Sequence, residues 1–184
     1  MQQDVLTAKE MKNEGLRLFQ EGLYEEAADA FRTAREMFEK EGNKLEVAEM
    51  TNNLGILHRV RREWDEAVEQ FQRARETFAR LGDRNREAQV IGNLGGLYAS
   101  MGKREKAKET LREAADIFGE IGDTQRQGET LQALAVQMFK SGDRSAGVQL
   151  YQSGLQTLDK PSLGQRMIRG LLKVRNRLMG SKKS

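Results

Sequence analysis

Small residues recur at a fixed step of 40 positions along this chain, and this repeat constrains the fold more than any other feature. One set comprises Gly15, Gly55, Gly95 and Ala135. The other sets with the same step are Ala27, Ala67, Ala107 and Gly147; Phe31, Phe71, Leu111 and Tyr151; Ala34, Ala74, Ala114 and Gly154; and Gly42, Gly82 and Gly122. Independent sets that share one period predict a repeat protein, in which each unit buries its apolar face against the next.

Each repeat contains two stretches with helical periodicity. In the second repeat, Val47, Thr51 and Leu54 mark the face of one helix, and Phe71 and Phe78 mark the face of the next. The glycines between repeats are each followed by Asn or Asp, which predicts a left-handed helix stop and then a helix N-cap. The tighter turns within repeats are expected near Gly22, Arg62, Gly102 and Gly142. The pattern predicts helices near 5–21, 24–41, 44–61, 64–81, 84–101, 104–121, 124–141 and 144–158.

Composition excludes several classes of site. The chain has no Cys, which excludes disulfides and thiolate metal ligands, and His58 is its single His. No run approaches the roughly 18 consecutive apolar residues of a membrane span, and the polar start is unlike a secretory signal. We therefore expect a cytoplasmic protein that is not an enzyme and that uses no cofactor or metal, with His58 in a structural role.

The first two repeats carry a combined motif of small, aromatic and glycine residues. It comprises Gly15, Gly22, Tyr24, Ala27, Phe31 and Ala34 in the first repeat, and Leu54, Gly55, Trp64, Ala67, Phe71 and Ala74 in the second. This motif resembles the tetratricopeptide repeat over about residues 8–158. The 40-residue unit is longer than the usual unit of about 34 residues, and it is similar to the repeats of kinesin light chains and Pins-type adaptors. The fourth repeat departs most, since Gly147 and Gly154 replace Ala and Arg144 replaces the aromatic residue.

The resemblance implies an all-α fold, a right-handed superhelical solenoid of four helix-turn-helix hairpins plus a C-terminal capping helix. The hairpins are expected at about 5–41, 44–81, 84–121 and 124–158, within a repeat region of residues 1–160. A basic amphipathic capping helix and tail should follow in residues 161–184.

The first helix of each hairpin should line the concave side of such a solenoid, where a ligand would bind. The residues expected in this groove are Lys9, Lys12, Asn13, Leu16, Phe19, Asn52, Asn53, Ile56, Arg59, Gly92, Asn93, Gly96, Gln132, Val136 and Phe139. Among them Asn13, Asn53 and Asn93 recur at the 40-residue step. An amide both donates and accepts hydrogen bonds, so this row can hold the backbone of an extended ligand, as the matching Asn does in the long-repeat adaptors. The alternative is that these amides bridge neighbouring repeats or contact water.

Two further predictions concern the groove. Gly92 and Gly96 would leave a shallow region where a bulky ligand side chain could lodge, and the alternative is local helix softness without a function. Lys12 matches the first residue of the carboxylate clamp in chaperone-binding repeats. However, Leu16 stands where that clamp has Asn, so binding of a C-terminal carboxylate is disfavoured.

The C-terminal segment is strongly basic. From Lys160 to Ser184 there are eight basic residues and no acidic residue, whereas the preceding part of the chain has an acidic excess. Ser162 is expected to cap a helix that ends near Met179. Its apolar stripe should cover the fourth hairpin and comprises Leu163, Met167, Leu171, Val174 and Leu178. The basic residues on the opposite side are Arg166, Arg169, Lys173 and Arg177.

These observations favour a protein–protein interaction module that binds an extended peptide or a partner helix in its groove. An alternative is an adaptor that binds nucleic acid or an anionic membrane through the basic helix. A solvated basic face without a ligand is also consistent with the sequence. A third alternative is self-association by end-to-end stacking of the repeats.

Overall fold

The structure is a computed structural model that describes the backbone of residues 6–180 and the side chains of residues 6–171. Within this part of the chain the regular structure consists of α-helices, with no β-strand. The helices are α1 (Ala8–Gln20), α2 (Tyr24–Lys40), α3 (Lys44–Val60), α4 (Trp64–Arg80), α5 (Arg84–Ser100), α6 (Arg104–Glu120), α7 (Thr124–Lys140), α8 (Arg144–Thr157) and α9 (Leu163–Gly180). They confirm the predicted all-α helical repeat solenoid.

The helix boundaries follow from caps and turns that recur with the repeat. The turn glycines have positive φ angles, for example 71° at Gly42 and 73° at Gly102, and Arg62 adopts the same conformation with φ 63°. After the turns between repeats, the side chains of Asn43, Asp83 and Asp123 accept hydrogen bonds from the backbone three residues further on. The predicted stops and caps are therefore confirmed.

The first helix begins later than the sequence pattern suggests. The pattern predicts a helix from about residue 5, whereas α1 begins at Ala8. Thr7 and Glu10 form a capping box: the Thr7 hydroxyl accepts from the Glu10 backbone at 3.2 Å, and the Glu10 carboxylate accepts from the Thr7 backbone at 2.7 Å. This reciprocal cap sets the start of the helix, because it satisfies backbone donors that have no partner within the helix.

The helices form two compact units, one up to Leu97 and one from Tyr98 onward. In the first unit, α1 packs on α2, α2 on α3 and α3 on α4. Phe31 and Phe71 are buried beside Gly15 and Gly55, where an added Cβ atom would lie 2.6 and 2.9 Å from the respective rings. These glycines let each first helix approach the aromatic ring of its partner helix.

The second unit contains the rest of α5 and the helices α6 to α9, and its successive helices from α6 onward pack together. Its fourth hairpin lacks the usual alanines, and the helix backbones meet instead. A Cβ atom added to Gly128 would lie 2.6 Å from the Gly154 carbonyl oxygen, and one added to Gly154 would lie 2.8 Å from the Gly128 carbonyl oxygen. The glycines of this atypical repeat thus allow a close crossing of α7 and α8.

The last helix is placed differently from the prediction. Ser162 and Gln165 cap it as expected, since the Gln165 backbone donates to the Ser162 hydroxyl at 3.3 Å. However, the apolar stripe does not cover the fourth hairpin: Leu163, Met167 and Leu171 are 70%, 64% and 69% exposed. Gln165 faces the hairpin instead and donates to Gln132 at 3.2 Å. The predicted orientation is wrong because polar contacts beside α7 set the rotation of α9. The side chains of Val174 and Leu178 lie outside the described residues.

Candidate functional site

The candidate site is the surface that α1, α3 and α5 form within the first unit. We call this surface the first-helix face. It is made up of these residues: Lys12, Leu16, Phe19, Glu49, Asn52, Asn53, Ile56, Arg59, Arg86, Gln89, Gly92 and Asn93. The face contains an apolar pocket, a polar pocket and a chain of ion pairs. Lys9 and Asn13, which the sequence also places in the groove, are exposed on α1.

The apolar pocket lies between α1 and α3 and has a volume of about 110 Å³. Its walls are Leu16, Phe19, Phe31, Asn53 and Ile56, and the surface that they present to the pocket is almost entirely apolar. Phe31 is buried, whereas Leu16 is 39% exposed at the rim. A pocket of this size and lining accepts one apolar side chain of a ligand.

The polar pocket has a volume of about 230 Å³. It is lined by Lys12, Leu16, Glu49, Asn52, Asn53, Phe78, Arg86, Gln89 and Val90. Leu16 and Asn53 line both pockets. The two pockets therefore adjoin, with Leu16 and Asn53 at their boundary.

A chain of ion pairs joins the three first helices across this face. Lys12 Nζ on α1 lies 2.7 Å from Glu46 and 2.6 Å from Glu49 on α3. The second Glu49 oxygen lies 2.6 Å from Arg86 Nε on α5, and Arg86 Nη1 lies 2.7 Å from Asp83. Lys12 on α1 is thus paired with two carboxylates of α3.

The ion pairs shift the pKa values of Glu49, Lys12 and Arg86. Burial raises the pKa of Glu49, but the hydrogen bonds from Lys12 and Arg86 outweigh burial and bring its pKa below 4.5, its ordinary value. Burial likewise lowers the pKa of Lys12, and its bonds to Glu46 and Glu49 more than compensate and raise it. The hydrogen bond that Arg86 donates to Glu49 raises the pKa of Arg86. All of these groups are charged at neutral pH.

The sequence analysis did not single out Glu49 and Arg86. The signal that could have found them is their spacing, because Lys12 to Glu49 and Glu49 to Arg86 are both separations of 37 residues. A separation of 37 residues is one 40-residue repeat minus about one helical turn. The two side chains of each pair therefore lie opposite each other on adjacent first helices.

The asparagine row is not uniform in the structure. Asn93 Nδ2 donates to Asn52 Oδ1 at 2.9 Å and so bridges α5 to α3. Asn93 therefore bridges neighbouring repeats, which is the alternative to ligand binding that the sequence left open. Asn53 forms no hydrogen bond with any other residue of the described part, and it lines both pockets. Of the three asparagines, Asn53 is the one that lines a pocket on this face.

The two groove glycines also differ. A Cβ atom added to Gly92 would meet nothing within 4 Å, so the surface there is open. At Gly96 the Arg59 guanidinium fills the space, with Nη1 2.9 Å from the Cβ position. The prediction of an open region at Gly96 is wrong, because a long side chain from α3 lies over it. Burial lowers the pKa of Arg59, and no carboxylate within residues 6–171 pairs with it.

The remaining predicted site residues lie in the second unit. Gln132 is engaged by Gln165 of α9. Val136 and Phe139 on α7 are 40% and 39% exposed. In the basic helix, Arg166 is exposed and Arg169 is partly buried. The side chains of Lys173 and Arg177 lie outside the described residues.

A larger depression of about 420 Å³ lies at the end of the first unit where the turns are. Among its residues, Arg80 donates to the Glu76 carbonyl and the Thr77 hydroxyl at 3.3 Å. Glu39 pairs with Arg35 at 3.8 Å. None of the residues that line this depression is among those predicted for the groove.

His58, the single His of the chain, contacts a carboxylate of the next helix region. His58 Nδ1 lies 2.6 Å from Glu63 Oε2, a contact that ties the end of α3 to the start of α4. Within the described residues no group of His, Asp and Glu side chains is arranged to hold a metal ion. Likewise, none of the described helices is long and apolar enough to cross a membrane.

Comparison with known proteins identifies the repeat. A family model described as tetratricopeptide repeat matches residues 10–80 and 46–120, which together span more than half of the chain. No curated protein sequence matches the chain.

Three solved structures share the fold. BtubC (BKLC) from P. vanneervenii has a TM-score of 0.74 and 22% identity, covering 82% of this chain and 62% of that chain. Aspartyl phosphate phosphatase F from Bacillus subtilis has a TM-score of 0.79 and 14% identity, with coverage of 82% and 39%. The apo form of RapI has a TM-score of 0.75 and 16% identity, with coverage of 85% and 57%. This chain spans less than two thirds of each of them, and at these identities the likeness shows the fold alone.

Proposed function

Because this chain belongs to the tetratricopeptide repeat family, we propose that its first-helix face binds a peptide segment of a partner protein, either extended or helical. Helical repeat solenoids of this kind are scaffolds for protein–protein interaction, and their extended surfaces are the usual binding sites. The fold is typically non-catalytic. The observation that carries the proposal is Asn53, which lines both the apolar and the polar pocket and whose amide has no hydrogen-bond partner among the described residues.

The two pockets provide complementary contacts for a peptide. The apolar pocket beside Leu16 and Ile56 takes one ligand side chain. Next to it, the Asn53 amide donates to a ligand carbonyl and accepts from a ligand N–H. A hydrogen bond to the backbone does not depend on the ligand sequence, so the apolar pocket provides the selectivity.

The ion pairs hold this face in a defined shape before a ligand arrives. Glu49 connects Lys12 of α1 to Arg86 of α5, so the three first helices are tied together at the base of the polar pocket. Preorganisation of this kind reduces the entropy that is lost on binding.

The proposal is tested with peptides selected on the intact chain from a displayed random-peptide library. We expect Asn53→Ala to weaken the selected peptides about fivefold, which corresponds to roughly 1 kcal/mol for one hydrogen bond. Leu16→Glu places a charge at the rim of the apolar pocket and should weaken them by about tenfold or more. Dissociation constants from calorimetry provide the measurement.

Asn13→Ala is the matched control, since it removes an exposed amide of α1 outside both pockets. It should leave affinity unchanged. An effect of Leu16→Glu without an effect of Asn53→Ala would indicate a helical ligand, because the backbone groups of a helix are already paired. Unchanged affinity in both variants, with circular dichroism showing intact helices, would refute the proposed site.

A further inference from the structure

The last helix, α9 (Leu163–Gly180), has an apolar stripe that no other described part of the chain covers. Leu163, Met167 and Leu171 are each about two thirds exposed, and Ile168 is 39% exposed. Large apolar side chains that form a contiguous exposed patch mark an interaction surface more often than single exposed ones do.

The orientation of this stripe is set by polar contacts on the other side of the helix. Gln165 donates to Gln132 of α7, and the Lys160 backbone donates to Gln125 at 3.2 Å. Thr124 also donates to Asp159 just before the helix. Helix α9 packs on α8, the Gln165 contact turns one side of α9 toward α7, and the apolar stripe lies on the other side of the helix.

The sequence segment that carries this stripe has charged residues of one sign. From Lys160 to Ser184 the sequence has eight basic residues and no acidic residue. Arg166 is exposed, and it follows Leu163 by three positions, so the two side chains are neighbours on the helix surface. An apolar stripe flanked by exposed basic groups is the arrangement of a helix that lies on an anionic membrane.

We infer that α9 is a membrane-surface helix, which places its Leu163, Met167 and Leu171 stripe at the acyl boundary of an anionic bilayer and its basic residues among the lipid phosphates. The helix lies in the plane of the membrane and does not cross it. The repeats remain on the aqueous side, and this site is separate from the first-helix face in residues and in chemistry.

Other occupants fit the charges less well. A second copy that paired stripe to stripe would bring together two helices that both lack acidic residues, and like charges repel at such an interface. Nucleic acid would satisfy the basic groups but leave the apolar stripe in water. In addition, the segment from Lys160 to Ser184 has no aromatic residue on which a base could stack.

The inference is tested by flotation of the intact chain with lipid vesicles. We expect the protein to float with vesicles of phosphatidylcholine and phosphatidylserine at low salt, and far less with phosphatidylcholine alone or at high salt. The triple variant L163Q, M167Q and L171Q should lose about tenfold or more in binding to the anionic vesicles, because it removes the side chains that enter the acyl boundary. Arg166→Gln should lose about fivefold, with the loss confined to anionic vesicles.

A matched control changes three other exposed apolar residues of similar size, with the variant L23Q, V60Q and L81Q in the first unit. It should float like the wild type. The inference is overturned if the wild type does not bind anionic vesicles, or if the stripe variant binds them as well as the control does. It is also overturned if sedimentation shows a wild-type oligomer that the stripe variant abolishes, or if a duplex RNA probe loses affinity with the stripe variant while vesicle binding is unchanged.

Discussion

At the scale of single residues, glycine has different roles at different helix positions. Gly15 lies in helix α1 against the buried Phe31 ring, where an added Cβ atom would be 2.6 Å from two ring carbons. Gly92 lies in helix α5, and an added Cβ atom there would meet nothing within 4 Å. The first glycine is required by packing, whereas the second lowers helix propensity without a packing contact.

We therefore expect opposite effects of alanine at these two positions. Gly15→Ala should destabilise the protein by about 1–3 kcal/mol, because the buried ring must shift to make room. Gly92→Ala should stabilise it by about 0.5–1 kcal/mol, the difference in helix propensity. Urea unfolding monitored by circular dichroism measures both. A loss of stability in the Gly92 variant would contradict the open surroundings described for that position.

At the scale of helices, the chain Lys12–Glu49–Arg86 connects α1, α3 and α5. Glu49 has one carboxylate oxygen for each cation, so it holds two neighbouring helices at once. Its side chain is 23% exposed, which limits screening by water. Charge-assisted hydrogen bonds in such a setting contribute more than an ion pair on a fully exposed surface.

Glu49→Gln should destabilise the protein by about 1–3 kcal/mol at neutral pH, as expected for the loss of charged hydrogen bonds. The folded-state pKa of Glu49 lies below 4.5, so its stabilising contribution is present above pH 4.5 and is lost as the pH falls through the folded pKa. The difference between variant and wild type should consequently shrink in acid. Urea unfolding measured across this pH range tests both statements.

Glu69→Gln is the control for this prediction. Glu69 is 65% exposed and lies 3.8 Å from Arg73 of its own helix. Its loss should change stability by less than about 0.5 kcal/mol at any pH. If the two variants lost the same stability, the ion pairs across the first-helix face would contribute no more to stability than an exposed ion pair does.

At the scale of the whole molecule, each helix packs mainly on its neighbours in sequence within its unit. The stability of such an array is approximately a sum of terms for each repeat and for the contacts between adjacent repeats. A local defect should therefore weaken its surroundings more than distant helices.

Phe71→Ala provides a test, since Phe71 is fully buried between α3 and α4. The change should remove about 3–5 kcal/mol of local packing. In hydrogen exchange we expect amides of α3 and α4 to lose protection, while those of α7 and α8 keep nearly wild-type protection. A uniform loss over all helices would show that the chain unfolds as one cooperative unit.

The sequence predicted the helices, the turns and the repeat because these depend on local rules. Glycines at left-handed positions and capping side chains such as Asn43 act over a few residues. These signals recur with the period of 40 residues. The repeat also predicted the turn at Arg62, although Gly occupies the other turn positions.

The candidate site was predicted only in part. The first-helix positions of Leu16, Asn53 and Ile56 follow from the repeat, and the structure brings them together at one pocket. The repeat did not predict that Asn93 donates a hydrogen bond to Asn52 while Asn53 forms none with the described residues. Equal spacing in sequence gives two residues equivalent positions but not the same neighbours. Only side chains from adjacent helices, Asn52 beside Asn93 and Arg59 over Gly96, decided which groups remain available to a ligand.

The sequence by itself thus determined a chain of helical hairpins, their boundaries and the family to which they belong, since periodicity and turn chemistry are written in contiguous residues. The tertiary structure alone decided which charges pair across 37 residues and that α9 turns Leu163 and Met167 toward solvent. The physical reason is that a helix can be amphipathic in isolation, but its rotation depends on the contacts that its neighbours offer.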